Sequence, residues 1–159
     1  MATSTNYSGR IIDLLIFQGT KPVGEALIEQ ALGGEDGGYV TTGIQKLVQS
    51  FAILFMTERG TIQYAPDVGT GFITAVRQGS ILDEADVQAQ FETAREFVQQ
   101  TLDLEADENE LPEDEQFDSA ELLSFSLNRA ESLLTLYVKI NSVAGEDRTV
   151  YLPVPLAIQ

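Results

Sequence analysis

Residues 133–140 read Leu-Leu-Thr-Leu-Tyr-Val-Lys-Ile, and this stretch decides the fold class. Its even-numbered positions are apolar, whereas the odd-numbered positions from 135 onward are Thr, Tyr and Lys. A period of two is typical of a β-strand with one buried face and one solvated face. Similar stretches at 122–127 and 149–152, separated by polar turns, predict two further strands. Together the three stretches indicate an antiparallel β-meander.

Helical periodicity precedes the meander. Apolar residues recur every three or four positions between 43 and 56, which predicts an amphipathic helix. We interpret this stripe as a core face, with a groove for a coenzyme or partner as the alternative. A second helix is predicted from an N-cap at Asp83 to about Leu102, and a short one over 72–77. Two main helices packed on a small antiparallel meander make an α+β fold.

The opposite side of the first helix is polar, and we expect it to face solvent: Gln45, Lys46, Gln49 and Ser50. Thr41 or Thr42 is the expected N-cap of this helix, because a hydroxyl oxygen can accept a bond from a free backbone N–H.

The first 40 residues differ from the rest and are predicted to form an N-terminal arm. Residues 11–17 read as a buried strand, with a short buried helix as the alternative. Residues 33–43 contain five glycines and form a loop without the Gly-Lys-Ser/Thr ending of a phosphate-binding loop. We therefore divide the chain into an arm with a glycine-rich loop over 1–40 and a domain over 41–159.

The charge of the chain excludes several classes of function. Lys plus Arg number 9 and Asp plus Glu number 25, so the formal net charge is −16. Such a charge repels nucleic-acid phosphates and anionic membrane surfaces, so neither is an expected partner. The absence of Cys and His removes zinc sites, thiol nucleophiles and His-based triads. No export signal or membrane-spanning run is visible, which predicts a soluble protein made in the cytoplasm.

Residues 103–118 contain nine acids and no Lys or Arg, which predicts an exposed acidic loop. Four side chains of this segment have the spacing of the first ligands in a calcium loop: Asp103, Glu105, Asp107 and Asn109. The spacing fails where Glu108 replaces the turn glycine and where Leu111 replaces a ligand. We therefore expect at most weak cation binding, with no metal site and no cofactor.

A pair of carboxylates is the remaining arrangement that could catalyse a reaction. Glycoside hydrolysis needs two carboxyl groups about 5–9.5 Å apart, one of them with a raised pKa. Glu58 and Asp67 flank a predicted turn and are the best-placed acids. We favour their structural interpretation, a helix-end residue and a turn former, and expect no enzymatic activity.

The last predicted strand ends near two prolines, Pro153 and Pro155. Because proline cannot donate to a ladder, the strand ends there or lies at an edge of the sheet. An unpaired edge can accept a strand from another chain, or it can be an ordinary edge protected by its prolines.

Two turns carry a family resemblance. Residues 43–49 (Gly-Ile-Gln-Lys-Leu-Val-Gln) are followed by 54–61 (Leu-Phe-Met-Thr-Glu-Arg-Gly-Thr) and 64–70 (Tyr-Ala-Pro-Asp-Val-Gly-Thr). Together they resemble the baseplate wedge proteins of contractile phage tails, the sheath initiators historically labelled lysozyme-like and related to type VI secretion baseplate proteins. The resemblance covers about 41–156. Where many members carry Glu-Pro-Arg, linked to baseplate docking, residues 99–101 read Gln-Gln-Thr.

The resemblance implies a structural protein of the virion, assembled in the host cytoplasm, with a domain similar to the sheath-subunit core. Its expected partners are the tail sheath protein and baseplate wedge subunits, with tube or hub proteins as further candidates. A tail lysozyme that hydrolyses peptidoglycan is the alternative. The expected contact is strand exchange with sheath at the end of the meander: Thr149, Val150, Tyr151, Leu152, Pro153, Val154 and Pro155.

Overall fold

The structure of the protein is a computed structural model that describes residues 13–14, 40–81 and 83–156. Helices precede an antiparallel sheet along the chain, so the predicted α+β class is confirmed. The elements are β1 (Asp13–Leu14), β2 (Val40–Thr41), α1 (Gly43–Met56), α2 (Phe72–Arg77), α3 (Glu84–Asn109), β3 (Phe117–Asn128), β4 (Leu133–Ser142) and β5 (Asp147–Pro155).

β1 and β2 form a short antiparallel ladder with the pairs Asp13↔Thr41 and Leu14↔Val40. The remainder of the predicted arm over 1–40 lies outside the described residues, as does most of the strand predicted over 11–17. The ladder stands directly before the first helix, because only Thr42 separates β2 from α1.

α1 has the bounds that its apolar periodicity predicts. Four members of the stripe, Leu47, Val48, Phe51 and Phe55, are at most 2 % exposed, so the stripe is a core face, as expected. The helix ends where Thr57 donates its backbone N–H and its hydroxyl to the carbonyl of Ile53, at 2.9 and 2.7 Å.

The sheet is the predicted meander, in the order β3-β4-β5 with β4 in the centre. The register pairs Val138 with Val150, and both side chains are completely buried on the face toward the helices. The pairing of β3 with β4 shifts between Leu122 and Ser124, which leaves Leu123 as a bulge residue. The bulge changes which positions of β3 face the core, from even to odd numbers.

The core lies between one face of the sheet and the helices. α1 contacts β4 and β5, whereas α3 contacts α1 and β3. Phe55 is central, since its ring centroid lies 5.8 Å from that of Phe51, 5.0 Å from Phe72 and 5.6 Å from Phe91. The predicted packing of the α1 stripe on the meander is confirmed, because both sets belong to one buried cluster. The sheet contributes these β4 residues to it: Leu134, Leu136, Val138 and Ile140.

α3 begins at the predicted N-cap. Asp83 Oδ1 accepts from the backbone N–H of Asp86 at 2.9 Å, and Asp86 Oδ2 accepts from the N–H of Asp83 at 3.3 Å. This reciprocal pair is a capping box, and it leaves two helix-end donors satisfied.

The predicted acidic loop over 103–118 is wrong at both ends. α3 continues to Asn109 and β3 starts at Phe117, so only 110–116 connect them. The helix continues because Leu102 extends the buried stripe, while the acids beyond it point away from the axis into solvent. Although α3 has 26 residues, neither it nor any other described helix is long and apolar enough to cross a membrane.

Candidate functional site

The seven residues predicted to bind a partner all lie in β5, an outer strand of the sheet. They divide between its two faces. Val150, Leu152 and Val154 are buried in the core, and Leu152 opposes Leu136 of β4. The other four lie on the opposite face and are half-buried or exposed: Thr149, Tyr151, Pro153 and Pro155.

Pro153 and Pro155 remain within the ladder, paired with Thr135 and Leu133 of β4. β5 is therefore an edge strand that contains Pro153 and ends at Pro155, so both predicted outcomes occur together. Proline is tolerated in an edge strand where its missing N–H would face solvent. Alternate residues of a strand direct their backbone groups the same way. The outward N–H donors of β5 are accordingly expected at Asp147, Thr149 and Tyr151.

Two tyrosines pack on the sheet face opposite the core. Tyr137 of β4 and Tyr151 of β5 are direct cross-strand partners, with ring centroids 4.9 Å apart in an edge-on arrangement. Lys139 is the next residue of β4 on this face, and its Nζ lies 3.8 Å from Asp147 Oδ2. Aromatic cross-strand pairs add to sheet stability, so the edge strand is held in register by this face as well as by the core.

The two turns of the family signature are joined by backbone contacts. The N–H of Thr70 donates to the carbonyl of Thr57 at 2.8 Å, and its hydroxyl donates to the carbonyl of Phe55 at 2.8 Å. Gly69 has a φ of +99°, and a Cβ built on it would lie 2.5 Å from the Thr57 carbonyl oxygen. Only glycine fits at this crossing, so the Pro-Asp-Val-Gly turn is locked against the end of α1.

The two acids proposed for hydrolysis pair with different cations. Glu58 accepts from the Thr74 hydroxyl at 2.6 Å and from Arg77 Nη1 at 3.0 Å. The side chain of Asp67 is 91 % exposed and accepts from Arg59 Nη2 at 3.3 Å. Each carboxylate therefore ties a turn to a neighbouring arginine, and no shared contact brings the two together.

The four residues with partial calcium-loop spacing, Asp103, Glu105, Asp107 and Asn109, lie on α3 and do not form a loop. Asp103, Glu105 and Asp107 are exposed on the last turns of the helix, where a regular helical spacing replaces the turn that a calcium loop requires. Among the residues that the structure describes, no group of three or more acids is placed to hold a metal ion.

Glu115 is the acidic residue whose role the sequence reasoning missed. Its side chain is 1 % exposed, and its two oxygens accept from Lys46 Nζ at 2.8 Å and from the backbone N–H of Gly43 at 3.0 Å. Thr42 occupies the N-cap position of α1 without a side-chain bond, so the predicted threonine cap is wrong and Glu115 supplies the acceptor.

The predicted wet face of α1 is also wrong in part, because Lys46 and Gln49 are buried. A usable signal was present, since Lys46 is the only charged residue of this helix. A single charge on a mostly buried helix needs a partner of opposite charge. The segment 103–118 contains acids and no cation, so it is the place in the sequence to look for that partner.

The connection over 110–116 is anchored to the sheet. The backbone N–H of Ala144 donates to the carbonyl of Glu113 at 3.1 Å, and that of Val143 donates to the carbonyl of Gln116 at 3.0 Å. Both donors lie in the turn between β4 and β5, so this connection is packed where the sequence predicted a freely solvated loop.

Comparison of the chain with known protein families, with curated proteins and with solved structures found no match. The likeness to contractile-tail sheath initiators therefore rests on the sequence of about 41–156, with 43–49, 54–61 and 64–70 as its main signature and 144–146 and 150–153 at the close of the meander.

Proposed function

We propose that this protein is a structural component of a contractile phage tail baseplate, where it nucleates sheath assembly by exchanging strands with sheath and by contacting wedge subunits. The family resemblance indicates which assembly the protein belongs to. The open edge of β5 is the surface through which it would bind a sheath strand. This edge is the observation that carries the proposal, because β5 pairs with β4 on one side only among the described residues.

Strand addition suits a nucleating contact. Backbone hydrogen bonds form with little regard to side-chain identity, so an incoming sheath strand needs only a suitable extended shape. The absence of donors at Pro153 and Pro155 confines full pairing to the part of the edge around Thr149 and Tyr151. The prolines thus limit uncontrolled pairing while leaving a short segment that can accept one strand.

The other edge of the sheet is less suited to this role. β3 carries a bulge at Leu123, which twists the strand and interrupts its regular pattern of backbone groups. Charged side chains on β3, Asp118 and Glu121, further oppose pairing with another strand. We therefore assign the sheath contact to β5.

Proline substitution at the two central donors tests the proposal. Thr149→Pro with Tyr151→Pro removes two of the three outward N–H groups and leaves only that of Asp147 at the start of the strand, while the side chains of the core are unchanged. We expect a folded protein that no longer seeds polymerisation of sheath subunits from the same tail, scored by electron microscopy. Thr149→Ala with Tyr151→Thr is the matched control, because it loses the same side chains and keeps both donors.

Two outcomes contradict the proposal. Normal seeding by the folded double-proline variant would show that the β5 edge is not the junction. Failure of the unmodified protein to retain either sheath or wedge subunits on co-expression would remove the assembly role itself. Release of peptidoglycan fragments that is lost in Glu58→Ala would instead favour the tail lysozyme.

A further inference from the structure

An apolar cleft opens at the end of the sheet where the β3–β4 turn approaches the C-terminal end of α2. It consists of two adjoining cavities of about 360 and about 280 Å³, which share four apolar side chains: Val76, Ile81, Leu127 and Leu156. Leu127 opposes the buried Leu134 and so lies on the core face of the sheet, yet it is 45 % exposed. Among the residues that the structure describes, none covers the core face at this end.

Two guanidinium groups line the larger cavity. Arg77 keeps one contact, to Glu58, whereas Arg129 forms no ion pair with any residue in the part of the chain that the structure describes. The smaller cavity is lined by Asp83 and Glu84, which lie at the start of α3, where the helix dipole offsets negative charge. The cleft thus offers an apolar floor with cations at one side, which fits an apolar side chain flanked by carboxylates.

The far end of α3 carries a surface of that chemistry, which we call the acidic knob: Leu104, Asp107 and Glu108. Leu104 is 64 % exposed. Asp107 and Glu108 follow it by three and four residues, so all three project from one face of the helix. Carboxylates near a helix C-terminus oppose the helix dipole, so the stability of the single chain does not explain their position.

We propose that the acidic knob of one copy docks in the cleft of a second copy. Leu104 enters the apolar floor, and the two carboxylates approach Arg77 and Arg129. The knob and the cleft lie at opposite ends of α3, which at about 1.5 Å per residue spans about 39 Å for its 26 residues. One chain cannot satisfy its own cleft, so the contact joins separate copies, reciprocally in an antiparallel dimer or head-to-tail in a ring or a filament.

Long-range charge opposes this contact and determines the conditions for testing it. Copies with a net charge of −16 repel one another at low ionic strength. At about 0.15 M salt the Debye length falls to about 8 Å, which screens distant charges while pairs in direct contact remain. Association is therefore expected at moderate salt and to be weaker in dilute buffer. This inference does not depend on the proposed role in a phage tail.

Sedimentation velocity of the full chain at moderate salt, in a concentration series up to about 1 mM, tests the contact. We expect reversible association, weakened on the order of tenfold or more by Leu104→Asp and by Arg129→Glu, since each places a charge where it is repelled or desolvated. Val143→Asp and Arg148→Glu are the matched controls, because they introduce the same acidic residues at other exposed positions. Unfolding curves of all four variants establish that they are folded.

Mixing the two defective variants tests whether the knob of one copy contacts the cleft of another. Leu104→Asp retains an intact cleft and Arg129→Glu retains an intact knob, so the mixture can form one contact and no more. We expect heterodimers without larger species. Absence of association by the unmodified protein at about 1 mM would overturn the proposal. So would equal effects of the test and control variants, or a mixture that behaves as the sum of its parts.

Discussion

The carboxylate of Glu115 lies 2.8 Å from the ammonium of Lys46, although 69 residues separate them along the chain. Both side chains are buried, and the second oxygen of Glu115 accepts from the first N–H of α1. A carboxylate in this position compensates the charge of Lys46 and the positive end of the helix dipole together. The pair therefore joins the start of α1 to the segment that leads into the sheet.

Removing one partner of this pair should be costly. Glu115→Ala leaves the Lys46 charge in a buried site and deprives the Gly43 N–H of its acceptor. We expect a loss of about 3–5 kcal/mol in the free energy of unfolding, measured by urea denaturation. Glu113→Ala, an exposed neighbour in the same connection, should change it by less than about 0.5 kcal/mol.

A double substitution measures the interaction energy between Lys46 and Glu115 apart from their contacts with other residues. Lys46→Met with Glu115→Leu replaces both charges by apolar groups, and such replacements are often tolerated where single ones are not. We expect the double variant to lose less stability than the two single variants added together, by more than about 1 kcal/mol. Additive losses would show that the two side chains act independently.

Phe51 should be among the most sensitive positions of the core. Its side chain is completely buried and stacks with Phe55 and Phe117, at centroid distances of 5.8 and 5.9 Å. Phe51→Ala should cost about 3–5 kcal/mol, because the rigid rings around it cannot fill the cavity. Ile53→Ala on the exposed side of the same helix is the control, with an expected cost below about 1 kcal/mol.

Two glycines with similar backbone angles should respond differently to alanine. Gly60 has a φ of +86° with open space around its Cβ position, so Gly60→Ala should cost about 1–2 kcal/mol from backbone strain alone. Gly69→Ala adds a collision with the Thr57 carbonyl and should cost clearly more. Thermal unfolding of both variants provides the comparison, and equal costs would contradict the close approach at Gly69.

The elements that sequence reasoning located are those specified by local patterns. The bounds of α1 follow from its apolar periodicity, and the Asp83–Asp86 capping box is contained within four residues. The meander follows from a period of two. These signals need no knowledge of distant parts of the chain, so they can be read directly from the sequence.

The features that were missed depend on contacts between distant segments. The burial of Glu115 requires Lys46, and nothing near Glu115 in the sequence distinguishes it from its acidic neighbours. The cleft is formed by α2, β3 and the residue after β5, so it exists only once these have packed. The edge position of β5 is one of two outcomes that the sequence predicts. Proline excludes the centre of a sheet, but it does not determine whether the strand ends at the proline or continues along the edge.

The sequence prediction ends α3 too early, because it rests on charge density as the sign of a loop. Asp103 and Glu108 begin and end the run of acids within its last turns, and a helix spreads such residues around its axis so that each carboxylate reaches water. Glutamate is also a good helix former, which favours continuation beyond Leu102.

The acids at the end of α3 should be dispensable for folding, in contrast to Glu115. Replacing Asp103, Glu105, Asp107 and Glu108 by Gln together removes charges that repel one another and oppose the helix dipole. We expect the melting temperature of dilute protein to stay constant or rise, whereas Glu115→Gln alone should lower it. Addition of calcium should leave the melting temperature of the unmodified protein unchanged, since these side chains lie on a regular helix. A fall in stability of the fourfold variant would mean that its carboxylates make contacts that hold α3 in place.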